Sequence, residues 1–396
     1  VSKRVRICKD IEIPDKVAIE RYRRVPDLGP EILFFSGGTA LRDLSHRIID
    51  YTHNSIHLIT PFDSGGSSAR IREAFNMISV GDLRNRLMAL ADQSIRGNPD
   101  IYQLFSYRLP HEDNSLLLKR IYEMIQGEDP LVAVIPQPMQ QIICNYLRAF
   151  INKVPLDFNL SGANIGNLIL TGGYLKNGRD IDTIIYIFKK LVEARGTVRP
   201  TVNQFLHLAA VLEDGTTILG QHKITGKEES PIVSPIRELY LTNSLDHPNV
   251  VNVETEDEIR TVIEGADLIC YPMGSFYTSV VANLLPRGVG ESIRGNDCPK
   301  VYIPNSTKDP EQQGMSLSDS VKAILDVLKE DQEEPDPRDL VSFVLVDLEK
   351  GKYPMEMDTD AVEKMGVPVL DVPLISPESS PLIDSGLLIH VLLSIA

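Results

Sequence analysis

Residues 31–40 read EILFFSGGTA, and residues 55–68 read SIHLITPFDSGGSS. In both, an apolar run without alternation ends in a loop of small residues, as in a strand covered on both faces. Glu31 to Phe35 and Ser55 to Thr60 are therefore predicted to be buried parallel strands. The loops Ser36-Gly37-Gly38-Thr39 and Ser64-Gly65-Gly66-Ser67-Ser68 fall at their carboxyl ends, and a helical pattern follows each. Glycine lets the backbone come close to a ligand, and the unpaired N–H groups of a helix's first turn favour phosphate. Neither loop is a named fingerprint: Gly37-Gly38-Thr39-Ala40 is not Gly-x-Gly-x-x-Gly, and no Lys-Ser or Lys-Thr follows to make a P-loop. Either loop alone reads equally well as an ordinary strand-to-helix turn. Side by side at one sheet edge they would form one crevice, the usual ligand position in open α/β sheets. The expected fold is α/β, with a Rossmann-like three-layer parallel sheet, and the expected ligand is phosphorylated or a nucleotide.

With 396 residues and 42% apolar content the chain can bury a full core, as one elaborated domain or two. A formal net charge of −15 argues against broad attraction to nucleic acid or to an anionic membrane. A local basic pocket is still compatible with it. Arg70, Arg72, Arg84 and Arg86 follow the second loop and could gather around phosphate. Cys8, Cys144, Cys270 and Cys298 are far apart and form no Cys-x-x-Cys pair, so neither disulfides nor a zinc site is expected. The opening Val1-Ser2-Lys3-Arg4 begins a stretch without the apolar core of a signal peptide, and Leu387 to Ala396 is too short to cross a bilayer. A cytoplasmic protein is expected, with a homodimer as the prior for its assembly.

Residues 1–30, broken by Pro14, Pro26 and Pro30, read as an N-terminal arm or edge strand. The main α/β domain spans 31–328 and carries a helical insertion over about 97–155. Helices are predicted over Ala163 to Leu175 and Ile181 to Ala194. Leu206 to Leu212 and Thr217 to Ile224, parted by Glu213-Asp214-Gly215-Thr216, read as a β-hairpin. The α/β alternation then resumes: a strand at Arg237 to Thr242, a helix at Glu254 to Glu264, a strand at Asp267 to Tyr271, a helix from Gly274 through Leu285, and a strand at Lys300 to Pro304. Lys329 to Asp339 is an acidic, proline-containing linker, and 340–396 form a small C-terminal α/β lobe with its own strands.

Five ordered segments carry a resemblance: Gly37-Gly38-Thr39; Phe62-Asp63-Ser64-Gly65-Gly66-Ser67-Ser68-Ala69-Arg70-Ile71-Arg72; Gly81-Asp82-Leu83-Arg84-Asn85; Asn164-Ile165-Gly166-Asn167-Leu168; and Gly274-Ser275-Phe276-Tyr277-Thr278-Ser279 with Asn283-Leu284-Leu285. In this order they resemble the CofD-like superfamily, which comprises 2-phospho-L-lactate transferases and the gluconeogenesis factor proteins that bind nucleotide sugars. The likeness is greater to the gluconeogenesis factor branch. It implies a Rossmann-like sheet with the ligand in the crevice made by these loops. The chain departs from the pattern at Ser64, where relatives usually have a second aspartate, at Ser36 and Ala40, where they tend to have glycine, and at Pro272-Met273-Gly274-Ser275, where they have Gly-Pro-Gly-Ser. The paired carboxylate that could hold a divalent cation between phosphates is thereby halved.

The resemblance implies ligand-binding roles for Gly37, Gly38, Thr39, Gly65, Gly66, Ser67, Ser68, Arg72, Asp82, Arg84, Asn85, Asn164, Gly166, Asn167, Gly274 and Ser275. Asp63 is the candidate catalytic residue and Mg²⁺ ligand, since phosphoryl-type transfer needs positioning and charge neutralisation; the alternative is an Asx-turn stabiliser. Asp82 reads as an N-cap or a ligand contact, and Arg84 as a phosphate contact or the partner of a surface carboxylate. Asn164 and Asn167 share a helix face and read as ligand contacts or structural caps. His46, His53 and His57 do not have the spacing of a metal triad. Ser67 and Ser68 lack a His-Asp partner set and read as phosphate hydroxyl donors. Two functions fit: transfer of a phosphorylated group from a nucleotide-activated donor to an acceptor hydroxyl with Mg²⁺, or nucleotide-sugar sensing without turnover. No tightly bound organic cofactor is expected.

Overall fold

A computed structural model describes residues 10–94, 97–226, 232–329 and 335–396. Cys8, the opening four residues and part of the expected linker lie outside them. Seven strands form one sheet: β1 (Ile32–Ser36), β2 (Ile56–Ile59), β3 (Thr197–Pro200), and then β7 (Leu268–Tyr271), β8 (Lys300–Tyr302), β9 (Phe343–Val346) and β10 (Val369–Asp371). Between these groups in the chain, β4 (His207–Leu212), β5 (Thr217–Leu219) and β6 (Ile236–Thr242) make a separate three-stranded sheet. The large sheet has the order β10-β9-β8-β7-β1-β2-β3, and its pairings are parallel.

β1 is the hub. It pairs with β2 through Leu33↔Ile56 and with β7 through Ile32↔Leu268. The chain winds outward from β1 in one direction through β2 and β3, and from β7 in the other through β8 to β10. The winding therefore reverses between β1 and β7, the place where ligands sit in open α/β sheets. Strand alternation divides the core into two layers. Ile32 and Phe34 join the helical insertion and the helices Arg42–Ile48, Gly81–Ala89, Ile165–Lys176 and Ser385–Ile395 on one face. Leu33 and Phe35 join β4, β6 and the helices Asp257–Glu264, Val289–Gly295 and Leu317–Lys329 on the other.

Four expectations are corrected. The C-terminal segment is not a lobe with its own strands: β9 and β10 extend the main sheet beyond β8, because Val344, Leu345 and Val346 are fully buried and need cover on both faces. The segment from Arg237 does not resume the parallel alternation, since β6 pairs antiparallel with β4 and completes the hairpin's small sheet. The N-terminal arm is helical at Lys16–Arg24; Asp15 caps it through the N–H groups of Val17 and Ala18, and the Asp15 N–H donates to Ser394 Oγ at 2.7 Å. Finally, the expected helix after Gly274 is wound as a π-turn over Phe276–Val281 before an α-turn at Ala282–Leu284. The insertion is helical as expected, with helices Pro99–Ser106, Asn114–Gln126, Pro130–Ala133 and Met139–Ile151.

Candidate functional site

A crevice of about 800 Å³ opens at the carboxyl ends of β1, β2, β7 and β8. Of the residues predicted from sequence, it brings together Gly37, Gly38, Thr39, Asp63, Gly65, Asp82, Gly274 and Ser275. Asp82 is packed against the first loop so closely that a Cβ on Gly38 would overlap its carboxylate. Glycine here thus admits Asp82 to the crevice. Asp82 is not the N-cap of its helix, a position held by Val80 without a side-chain bond.

The electrostatics of the crevice centre on two carboxylates. Burial and the neighbouring charge of Asp63 push the Asp82 carboxyl up to about 7, against the opposing pull of Arg86, the Gly38 N–H and Arg84. Asp63 Oδ1 accepts the Gly65 N–H at 3.1 Å, the Asx turn that was the structural alternative, and Oδ2 accepts from the Ser79 hydroxyl at 3.4 Å. The turn contact and the exposure of Asp63 to the crevice are compatible. Ser64 points elsewhere: its Oγ meets His222 Nδ1 at 2.8 Å and accepts the His222 N–H at 3.1 Å. Asp63 and Asp82, nineteen residues apart in the chain, are the two carboxylates that act on each other in the crevice wall.

Two helix openings flank the crevice and differ in kind. The ten-residue helix Gly66–Phe75 starts after Gly65 with no side-chain cap, and Gly66 takes φ +50 with no atom near its missing Cβ. Glycine is favoured there by backbone conformation. Ser67 and Ser68 are buried in its first turn. The opening after Gly274, by contrast, is already filled by carboxylates. Asp309 Oδ2 accepts the Phe276 N–H, and Glu311 accepts those of Tyr277 and Thr278, each at 2.8 Å. Asn305 Oδ1 accepts the Gly274 N–H, also at 2.8 Å. Burial, with Asp309 beside it, pushes Glu311 up to about 8.

The four arginines do not gather around the crevice. Arg72 donates to the carbonyls of Phe62 (3.0 Å), Asp63 (3.3 Å) and Leu206 and lies over the Phe205 ring. Arg86 donates to Ser45 Oγ, Ser36 Oγ and Gly37 O. Both brace the glycine loops from behind, because their long stems run inward beneath loops whose carbonyls would otherwise go unpaired. Burial pulls each down to about 10. Arg70 turns toward the loop that follows the insertion, and Arg84 toward the start of helix Ile165–Lys176. There Asn164 caps its helix by accepting the Asn167 N–H at 3.1 Å, Gly166 packs against Arg84, and Asn85 accepts from Arg84. Arg84, Asn85, Asn164, Gly166 and Asn167 thus form a second cluster outside the crevice lining. Sequence reasoning missed Arg47, His222, Asn305 and Lys308 in the crevice wall, and no local spacing marked them. Among the described residues no three His, Cys, Asp or Glu side chains cluster as a metal site.

Residues 32–375 match the family profile described as 2-phospho-L-lactate transferase CofD. The chain belongs to the CofD family. It is 29% identical to the gluconeogenesis factor of Halalkalibacterium halodurans over 298 residues, 74% of this chain and 73% of that one. The gluconeogenesis factor of Bacillus subtilis is also 29% identical, over 74% of each chain. A Nostoc sp. relative is 26% identical over 348 residues, and the match spans only 62% of its length. Two crystal structures of a Bacillus halodurans protein, a UPF0052 family member, superpose with TM-scores of 0.68 and 0.67 at 26% and 25% identity, each covering 92% of this chain and 99% of that one. The Rossmann-like fold, the CofD family and the likeness to gluconeogenesis factor proteins agree with the sequence reading. No described helix is long and apolar enough to cross a membrane.

Proposed function

We propose that this CofD-family protein binds a phosphorylated nucleotide ligand in the crevice and transfers a phosphorus-containing group from it to an acceptor hydroxyl. The observation that carries the reading is the Asp63–Asp82 pair at the winding reversal, beside the uncapped helix Gly66–Phe75. Ligand phosphates would take the free first-turn amides, and the nucleoside would lie along the wall from Met273 to Ser275. The two carboxylates fit a hard divalent cation: burial and, after it, the charge of Asp63 hold Asp82 back from ionising, and a cation relieves the repulsion. Mg²⁺ held by Asp63 and Asp82 would supply neutralisation of phosphate charge.

A second reading is a nucleotide-sugar-binding regulator without turnover. The engagement of Ser64 by His222, at the position where a second aspartate would stand, favours it. Binding and donor consumption, measured with a panel of nucleoside diphosphates and nucleotide sugars with and without Mg²⁺, separate the two. As a transferase, Asp63→Asn should cut donor consumption on the order of a hundredfold while leaving nucleotide affinity nearly intact. Tight binding by wild type without consumption of donor, whatever the acceptor, would establish the regulator instead.

A further inference from the structure

The small sheet sends an imidazole into the crevice wall. After β5 the chain turns at Gly220, whose N–H donates to the Leu208 carbonyl at 2.8 Å, and a single helical turn, Gln221–Ile224, follows with Ile224 fully buried. Gly220 takes φ +95, and a Cβ there would stand 3.0 Å from His222 Cε1. The Thr225 hydroxyl donates to the His222 carbonyl at 2.9 Å. These contacts fix His222 in the crevice lining from an element outside the strand-end loops.

Ser64 orients the ring. Its Oγ accepts the His222 N–H at 3.1 Å and lies 2.8 Å from Nδ1. The backbone N–H takes a lone pair of Oγ, the hydroxyl proton finds its acceptor at Nδ1, and the proton of the neutral ring is then left at Nε2. Among the described residues the ring pairs only with Ser64, so the Nε2–H is open to a ligand. Ser64 directly precedes Gly65 and the uncapped first turn of helix Gly66–Phe75. A ring held to Ser64 therefore stands beside the amides to which the ligand phosphates are assigned.

We propose that His222 is a direct phosphate-binding residue, donating from Nε2–H to a ligand phosphate oxygen, and that Ser64 is the residue that positions it. The inference rests on the nucleotide reading of the crevice and holds for a transferase and for a regulator alike. A second aspartate at position 64 would repel phosphate unless a cation lay between them. Serine instead uses the position to aim a donor, so this contact needs no metal.

The test is calorimetric titration of the full chain with inorganic pyrophosphate and with ADP, CDP, GDP and UDP, each with and without Mg²⁺. His222→Ala should weaken pyrophosphate and the tightest nucleotide about tenfold, as for loss of a hydrogen bond to a charged group, whether or not Mg²⁺ is present. His222→Gln, whose amide N–H reaches about as far as Nε2–H, should recover most of that affinity. Ser64→Ala should weaken binding by less, and adding it to His222→Ala should cost nothing more, because it acts only through the ring. If His222→Ala fails to fold, His222→Phe takes its place, filling the ring's space without a donor. Wild-type affinity in the donor-less variant, a glutamine variant no better than it, or a loss seen only with Mg²⁺, which would make His222 a cation ligand, would each overturn this assignment alone. Losses from Ser64→Ala that add to those of His222→Ala would remove the positioning role. A wild-type chain that binds neither pyrophosphate nor any of the nucleotides would overturn the nucleotide reading and this inference with it.

Discussion

Asp82, half-buried, and Glu311, fully buried, are both acids whose ionisation is pushed up toward neutral pH, but their surroundings assign them different work. Glu311 spends its oxygens on the Tyr277 and Thr278 amides and the Thr278 hydroxyl, so it is a helix-opening cap. Asp82 lines the crevice with Asp63, and burial and then the charge of Asp63 disfavour its ionised form. Its folded value near 7 lies above its ordinary 3.8, so its contribution to stability is fully present below about pH 4 and is lost as pH rises through 7. Asp82→Asn should therefore be more stable than wild type at pH 8 by on the order of 1–3 kcal/mol, discounted for its partial exposure, with the difference vanishing near pH 4. Urea unfolding at several pH values measures it, and Mg²⁺ should stabilise wild type more than the variant. A difference that does not change with pH would remove Asp82 from the electrostatic centre.

At the scale of elements, close approach between helices seats the insertion. A Cβ on Gly172 would overlap the Tyr146 carbonyl, so helices Met139–Ile151 and Ile165–Lys176 can pack backbone to backbone only with glycine there. Gly172→Val should cost about 1–3 kcal/mol by overpacking and loosen the insertion first. Hydrogen exchange would show this as faster exchange in 139–151 with β1 still protected, whereas uniform loosening would mean that the insertion and sheet unfold as one unit. The strands that make the sheet's centre were legible because Ile32 to Phe35 and Ile56 to Ile59 carry no polar alternation beyond His57. β9 and β10 were legible as strands, but their destination was not: the same apolar runs suit a separate lobe or a sheet edge, and only the exposed edge of β8 decides between them. The π-turn after Gly274 had no periodic signal at all.

In the whole molecule, the winding reversal between β1 and β7 gathers loops that are hundreds of residues apart in the chain. The glycine loops announced the crevice because each lies within a few residues of its own strand. Asp63 and Asp82 were both named from sequence, but their pairing depends on how Gly38 lets Asp82 in, a contact that spacing does not encode. His222 and Asn305 arrive from the hairpin and from the loop after β8, where nothing local marks a crevice residue. The arginines misled for the opposite reason: adjacency in sequence suggested one cluster, but residues two apart on a helix lie on opposite faces, so Arg72 and Arg86 point beneath the glycine loops while Arg70 and Arg84 point toward residues 159–166. The most direct measurement is a crystal structure of the full chain with a bound nucleoside diphosphate and Mg²⁺. The account predicts the phosphates at the first turn of helix Gly66–Phe75, with the cation between them and the carboxylates of Asp63 and Asp82. A nucleotide bound away from the β1–β7 reversal, or phosphates seated with both carboxylates unengaged, would contradict it.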